Sequence, residues 1–248
     1  MCVVGRRMMW SLLLLPLCLI ACDHKEKPIV LPHSKGLPSE VLLVTDDAVG
    51  QSDVMDSLNA LTQQCLPEIM QPETMFRVLR VSQRNYTQRY ITMHTKLFVN
   101  INKSLSAPMM GISRDVEATP QTEVTVSAPS LNELRLFLSR HQQQVTDALL
   151  DGQLLVRMTD LRKHYNAHVA NEVRRHMGYS ICVPKNVCAV KKGKHFLWAG
   201  SNLQERDLNI VLYEFPWDGK PMDNAEQLVS KRDSVMKCNI PGEKEGQW

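Results

Sequence analysis

Four side chains of metal-binding types recur every four residues in the second half of the chain. They are His164, His168, Glu172 and His176. On a helix, two histidines four residues apart lie on one face and can share a zinc ion. The zinc-protease motif has a glutamate directly after its first histidine, where this chain has Tyr165. A metal-assisted hydrolase using His164, His168 and Glu172 is therefore one hypothesis, and a solvated edge of an amphipathic helix is the favoured one.

Two adjacent carboxylates form a second candidate site. Asp46 and Asp47 directly follow the run Glu40–Thr45, whose continuous apolar centre is typical of a strand covered on both faces. Ligand sites of open α/β sheets gather at the carboxyl ends of strands, so such a pair could act in acid–base chemistry or bind a hard cation. A structural role, with Asp47 as the cap of a turn or helix, is the favoured interpretation.

Aromatic side chains near the C-terminus form a third candidate. Trp198, Tyr213, Phe215 and Trp217 lie on or beside predicted strands. Residues two apart on a strand share a face, so the last three stand together if the strand continues past Pro216. Trp198, Tyr213 and Trp217 are therefore candidates for a binding face, and filling of the core between helix and sheet is an equally favoured interpretation.

The clearest chemistry in the sequence is acylation of a thiol at Cys22. Two arginines precede an apolar run from Met8 to Ile20. This run is shorter than the roughly 20 residues that a permanent membrane helix needs, and the pattern is typical of a secretory signal. Ala21 followed by Cys22 completes the box of a bacterial lipoprotein, in which the cysteine carries diacylglycerol and fatty acids such as palmitate. We therefore expect a signal peptide over residues 1–21 and a lipid anchor on Cys22.

The rest of the chain must position these candidates. Residues 22–39 are charged and contain Pro28, Pro32 and Gly36, which is typical of a tether. Residues 40–248 are predicted to form an α+β domain, in which mixed and antiparallel sheets pack against long amphipathic helices. The first half contains the buried strand after the tether and further strands, separated by short helices.

Helix signals dominate the middle of the domain. Ser130 and Glu133 form a capping box that predicts a helix start. A further apolar stripe, from Leu154 to Met177, predicts one long amphipathic helix, and the chain is expected to divide near Gly152. Four strands in an antiparallel meander, between Tyr179 and Phe215, and a last helix over Asn224–Cys238 complete the predicted domain.

Composition excludes several functional classes. The formal net charge of +3 falls to +1 once the signal peptide with its two arginines is removed, so no electrostatic attraction to nucleic acid is expected. Dinucleotide fingerprints, phosphate loops and nucleophile elbows are absent from the sequence, and no cofactor is expected. Cys182 and Cys188 do not have the spacing of a zinc knuckle. Thiols packed on strands are favoured for this pair over a disulfide.

Several short motifs occur together in a recognisable order. They are Gly36–Asp47, Pro120–Gln121, Ala128–Ser130, Val183–Lys185, Phe196–Trp198, Tyr213–Pro216, Lys231–Val235 and Ile240–Gly246. In this order they resemble a family of uncharacterised Bacteroidetes lipoproteins that contain a domain of unknown function. The resemblance implies a lipid anchor and an α+β fold, and it implies no catalytic residue. Members of that family continue beyond the last motif, so this chain, which ends at Trp248, is expected to be a short member.

Together these patterns predict a lipid-anchored protein of the cell envelope. Its expected role is binding or structural rather than enzymatic, and its expected partners are the membrane and an unidentified envelope protein or ligand. The inner or outer membrane, and the periplasmic or surface side, remain open alternatives. The metal-assisted hydrolase, using the His164 row or Asp46 with Asp47, is the alternative function.

Overall fold

A computed structural model describes residues 30–66, 72–201, 208–216, 219, 224–240 and 242. The predicted signal peptide, the predicted lipidation site Cys22 and the aromatic Trp217 lie outside the described residues. The end of the predicted tether is already part of the fold. The amide of Ser34 donates to the carbonyl oxygen of Thr119 at 3.1 Å, and the amide of Lys35 donates to that of Thr92 at 2.7 Å.

The first sheet is mostly parallel. Its strands are β1 (Glu40–Thr45), β2 (Arg77–Ser82), β3 (Thr95–Ile101), β4 (Met109–Arg114) and β5 (Thr122–Ala128). They lie in the order β2-β1-β3-β5-β4, and only β4 runs antiparallel to its neighbour. The sequence of β4 has no regular alternation of apolar and polar residues. This strand is hard to predict from the sequence because it lies at the edge of the sheet and most of its side chains are exposed.

Both faces of this sheet are covered, as the continuous apolar run in β1 predicts. One face packs against α1 (Asp47–Gly50), α2 (Val54–Thr62) and α4 (Leu131–Lys163). The opposite face packs against Tyr86, which follows a 3₁₀ turn (Gln83–Asn85), and against Tyr90 of α3 (Gln88–Ile91). Alternate residues of β1 enter the two cores, so every residue from its second to its last is buried.

Helix α4 starts at the predicted capping box. The hydroxyl of Ser130 accepts a hydrogen bond from the amide of Glu133 at 3.3 Å. The helix does not end near Gly152 but continues through it to Lys163. A Cβ atom on Gly152 would lie 2.9 Å from Cβ of Thr122 in β5. This glycine therefore allows close approach of helix and sheet and does not mark a helix end.

The prediction of one helix from Leu154 to Met177 is wrong. Helix α4 ends at Lys163, and α5 (Ala167–Met177) begins after a break. Asn166 causes the break, because its Oδ1 accepts from the amide of Val169 at 3.2 Å and thereby caps α5. Its Nδ2 donates to the carbonyl oxygen of Val187 at 2.9 Å, which ties the start of α5 to the segment that leads into the second sheet.

The second sheet is an antiparallel meander of three strands. They are β6 (Ala189–Gly193), β7 (Phe196–Gly200) and β8 (Asn209–Tyr213), in that order. Helix α5 covers one face with Val169, Val173 and Met177, which contact side chains such as Leu197. The predicted fourth strand, Tyr179–Val183, is wrong: this segment is irregular, and only its side chains at 181 and 183 join the core. Helix α6 (Ala225–Asn239) follows, with Asn224 as its cap.

The α+β class is confirmed by this combination of a mixed sheet, an antiparallel sheet and long helices. Among the described residues, none of the helices combines the length and apolar character that crossing a membrane requires.

Candidate functional site

The first candidate, Asp46 with Asp47, lies where ligands bind in open parallel sheets. The chain leaves β1 toward β2 on one side and leaves β3 toward the opposite edge, so the crevice between their carboxyl ends is a switch point. Oδ1 of Asp46 accepts from the amide of Val49 at 2.7 Å, and its Oδ2 accepts from the amide of Ile101 at 2.7 Å. Asp46 therefore caps α1 and joins it to β3, which is the role that was expected of Asp47.

Asp47 points to a different partner. Its carboxylate forms an ion pair with Arg84, whose side chain is largely exposed. A shallow depression at the carboxyl edge of the sheet is lined by Asp46, Asp47, Gln83 and Arg84. Both oxygens of Asp46 are already bonded to amides and Asp47 is paired with a cation, so the two carboxylates do not present a joint acid–base or cation site.

The row of histidines is divided by the break between α4 and α5. His164 lies just after α4 and its Nδ1 is 2.8 Å from Oδ1 of Asp160, while His168 is exposed on the first turn of α5. His176 Nε2 is 2.8 Å from the carbonyl oxygen of Gly193 and 3.1 Å from that of Phe196, which ties α5 to the β6–β7 turn. The structure therefore does not bring these side chains together as ligands of one ion.

Glu172 has structural partners of its own. Its nearly buried carboxylate forms ion pairs with Lys192 of β6 and with Arg175 on the next turn of α5. The hydrogen bond from Lys192 outweighs burial and, with Arg175 and His168, lowers the pKa of Glu172. These contacts fasten α5 to the second sheet. Among the described residues, no three His, Cys, Asp or Glu side chains are grouped to hold a metal ion.

The aromatic candidates share one face of the second sheet. Trp198 and Tyr213 lie on the face opposite to α5, because β7 alternates and the residues at 197 and 199 contact α5. The rings of Tyr213 and Phe215 stack with centroids 6.1 Å apart, and Nζ of Lys231 in α6 lies 4.5 Å above the centroid of the Phe215 ring. Partly exposed rings with a cation beside them form a surface that can contact a partner.

The Trp198 ring is held flat against its own strand. Its Nε1 donates to Oδ1 of Asn209 at 2.9 Å. A Cβ atom on Gly200 would collide with the ring, so this position accepts only glycine while the ring keeps its orientation. The orientation of the indole is therefore built into the sheet.

A cluster around Lys96 is not among the sites that the sequence patterns predict. The side chain of Lys96, in the central strand β3, is completely buried. Its ammonium group donates to Tyr86 Oη at 2.8 Å, to Glu117 Oε2 at 3.0 Å and to Glu123 Oε1 at 2.8 Å. A signal for the central pair was present: Lys96 and Glu123 each occupy the second position of an apolar strand, on the same face.

The electrostatics of this cluster favour the protonated form of Lys96. Burial alone would lower the pKa of Lys96, but the hydrogen bonds to Glu123, Tyr86 and Glu117 outweigh burial, and the pKa is raised. For Tyr86, burial raises the pKa of the hydroxyl, and this effect exceeds the lowering by the hydrogen bond and charge of Lys96. A lysine that stays protonated is not a nucleophile, so the cluster serves as an ionic link between β3, β5 and the loop that holds Glu117.

His94 holds the segment that precedes β1. Its buried ring has Nδ1 2.9 Å from Thr95 Oγ1 and Nε2 3.1 Å from the carbonyl oxygen of Leu37. Gly36, at φ +140°, lies against the ring, and a Cβ atom there would be 2.6 Å from Nε2. Burial lowers the pKa of His94, which indicates a neutral ring.

The cysteines do not form the packed pair that was expected. Cys182 and Cys188 are both free and exposed, and both lie outside the strands, since β6 begins only at Ala189. Cys65 and Cys238 are also free and exposed. The favoured interpretation of thiols packed on strands is therefore wrong for Cys182 and Cys188.

Comparison with known families divides the chain in two. A domain of unknown function, DUF8532, matches residues 34–160, which contain the first sheet and most of α4. A second domain of unknown function, DUF4837, matches residues 166–248, from the cap of α5 onward. No curated protein and no solved structure matches the chain. Because the first match covers just over half of its residues, the chain belongs to the DUF8532 family of domains of unknown function.

Proposed function

We propose that this protein is a lipoprotein of the bacterial cell envelope, held to a membrane through Cys22, with a binding or structural role. The observation that carries the proposal is the order of signals at the N-terminus. Arginines, an apolar run too short to remain in a membrane and the pair Ala21–Cys22 follow each other directly. The resemblance of the motifs to Bacteroidetes lipoproteins supports the same anchor.

A role without catalysis is supported by how the candidate groups are used. Asp46 caps a helix, Glu172 joins α5 to β6, and Lys96 links strands of the first sheet. Each of these side chains therefore bonds to other residues of the protein. A hydrolase would need an acid or base directed at a substrate, with room for a water molecule beside it.

The aromatic face of the second sheet is the surface that we propose for an envelope partner. Trp198, Tyr213 and Phe215 present rings of fixed orientation, and Lys231 adds a cation at the edge. Aromatic side chains are enriched among residues that dominate protein–protein binding, because they bury a large area with few rotatable bonds.

Metabolic labelling with a fatty acid tests the anchor. Cys22→Ser should abolish labelling and leave the precursor uncleaved, because diacylglyceryl transfer needs the thiol and cleavage follows it. Cys18→Ser is the matched control, since this cysteine lies four residues earlier in the apolar run. The control should label as the wild type does. Labelling that persists in Cys22→Ser would reject the lipoprotein assignment.

Site-specific crosslinking in cells tests the binding face. A photoreactive phenylalanine analogue at Phe215 should give a discrete adduct of higher mass, because the ring is exposed at the edge of the aromatic face. The same analogue at Leu136, an exposed leucine of α4, is the control and should give no such adduct. Equal adducts at both positions, or none at Phe215, would reject this face as the partner surface.

A further inference from the structure

The apolar stripe of the two middle helices is buried in one helix and exposed in the other. In α5, Val169 and Val173 are completely buried against the second sheet. In the last part of α4, Leu154 is 55% exposed and Met158 is 43% exposed. The predicted packing of Leu154 and Met158 on a sheet is therefore wrong, and their side chains lack a covering element among the described residues.

These two residues belong to one continuous face, here called the α4 stripe: Leu150, Leu154, Met158 and the half-buried Leu161. At 100° per residue they fall within an arc of about 80°. Val145, Leu149 and Gly152, which are buried, lie on the opposite side of the helix. Helix α4 therefore has two apolar faces, one in the core and one directed at solvent, which is unusual for a helix at the surface of a soluble domain.

Charged residues border the α4 stripe. By the same helical geometry, exposed Arg157 lies beside it on one edge and exposed Arg162 on the other. By the same geometry, exposed Asp151 lies on the edge that also carries Arg162, and exposed Asp147 lies in line with the stripe just before Leu150. An apolar face between two arginines matches a lipid surface, because long basic side chains can reach phosphate groups while the apolar residues enter the acyl region.

The stripe lies beside the point where the chain enters the first sheet. Nε2 of Gln153 donates to the carbonyl oxygen of Glu40 at 2.7 Å, and a guanidinium nitrogen of Arg157 is 3.4 Å from Oγ of Ser39. Only about ten residues separate Cys22 from the start of the folded unit at Pro32. A chain of that length spans at most about 35 Å, so a bilayer that holds a lipid on Cys22 is within that distance of Pro32.

We propose that the α4 stripe rests on the lipid bilayer that holds the anchor, with Leu154 and Met158 inserted below the headgroups. This inference depends on the proposed lipidation of Cys22, which determines that a bilayer is within reach. The domain is then attached to the membrane at two points, the lipid on Cys22 and the α4 stripe. This second contact fixes the orientation in which the aromatic face of the second sheet meets a partner.

Depth measurements on the full lipidated chain test the proposal. Leu154→Cys and Met158→Cys are labelled with a nitroxide after serine replaces the four free cysteines, and the protein is reconstituted in phosphatidylethanolamine–phosphatidylglycerol vesicles. Leu136→Cys is the matched control, an exposed leucine that lies 18 residues earlier, beyond the kink of α4 at His141. Positions 154 and 158 should lose collisions with a water-soluble nickel chelate and keep collisions with oxygen, whereas position 136 should keep both.

The mass of the N-terminal peptide, measured on the same sample, separates the two proposals. If Cys22 is lipidated and positions 154 and 158 are as accessible to nickel as position 136, the anchor stands and the contact is rejected. Protection from oxygen as well as nickel indicates a protein covering the stripe, which also rejects the membrane contact.

If Cys22 carries no lipid, the proposed function fails, and flotation of the unlipidated chain with the vesicles tests the stripe. Leu154→Glu with Met158→Glu should then abolish flotation and Leu136→Glu should not; equal flotation of the two variants, or none of the wild type, rejects the contact.

Discussion

The ammonium nitrogen of Lys96 lies 2.8 Å from Oε1 of Glu123, and the two residues are direct neighbours in the pairing of β3 with β5. The lysine side chain is completely buried and that of Glu123 is 15% exposed. A charged pair at this depth is stable only while both partners are present, because each would otherwise be an uncompensated charge in the protein interior.

Removing one partner of this pair should therefore be costly. We expect Lys96→Met to lower the free energy of unfolding by about 3–5 kcal/mol. The double variant Lys96→Met with Glu123→Leu should recover much of that loss, since both charges are then replaced by apolar groups. Urea unfolding of the wild type, both single variants and the double variant measures the coupling. A double variant that loses the sum of the two single effects would contradict the pair.

The same cluster predicts instability in alkali. The pKa of Lys96 is raised above its ordinary value of 10.5, so its stabilisation is fully present below that pH and is lost as pH rises through the folded-state value. Wild-type stability should fall in this range, and the fall should be smaller in Lys96→Met. Unfolding midpoints measured from pH 9 to 12, about the range in which lysine and tyrosine titrate, would show this difference. Parallel curves for the two proteins would exclude a contribution from Lys96.

His94 predicts a second dependence on pH, at the acid side of neutrality. Its pKa is lowered from 6.5, so the unfolded chain takes up the proton first. Its contribution is fully present above pH 6.5 and is lost as pH falls through the folded-state value. His94→Gln should remove this slope while leaving the loss below pH 4.5, where Glu172, whose pKa is lowered, becomes protonated. Thermal unfolding at several pH values measures both, and an unchanged slope between 4.5 and 6.5 in His94→Gln would contradict the role of the ring.

The two adjacent aspartates should respond very differently to substitution. Asp46→Ala removes the cap of α1 and the bond to the amide of Ile101, and should cost about 2–4 kcal/mol. Asp47→Ala removes an exposed ion pair with Arg84 and should cost under about 1 kcal/mol. Urea unfolding of the two variants measures the difference, and Asp47→Ala serves as the control for Asp46→Ala. Equal losses would show that the bonds of Asp46 contribute little.

Gly152 should not tolerate a side chain, although alanine is the better helix former. In Gly152→Ala the new methyl group would lie 2.9 Å from Cβ of Thr122, and we expect a net loss of about 1–3 kcal/mol. Gly111→Ala is the control, because a Cβ atom there meets no atom within 4 Å. That change should be neutral or stabilise by up to about 1 kcal/mol. Thermal unfolding of the two variants gives the comparison, and a more stable Gly152→Ala protein would contradict close packing of α4 on β5.

Features that depend on near neighbours in the chain could be predicted from the sequence. The burial of β1 on both faces follows from its continuous apolar run, and the start of α4 follows from Ser130 and Glu133. The three antiparallel strands after α5 follow from the alternation of apolar and polar residues. These signals are local, because hydrophobic periodicity and cap chemistry involve residues only a few positions apart.

Features that depend on distant pairs were decided by the tertiary structure alone. The meeting of Lys96 with Glu123, the passage of α4 through Gly152 and the bond from the amide of Ile101 to Asp46 each require a partner on another strand or helix. The apolar stripe from Leu154 to Met177 has one periodicity, yet α5 buries its part and α4 exposes its part. Periodicity specifies which side chains share a face of a helix, and only the arrangement of the other elements determines whether that face is covered.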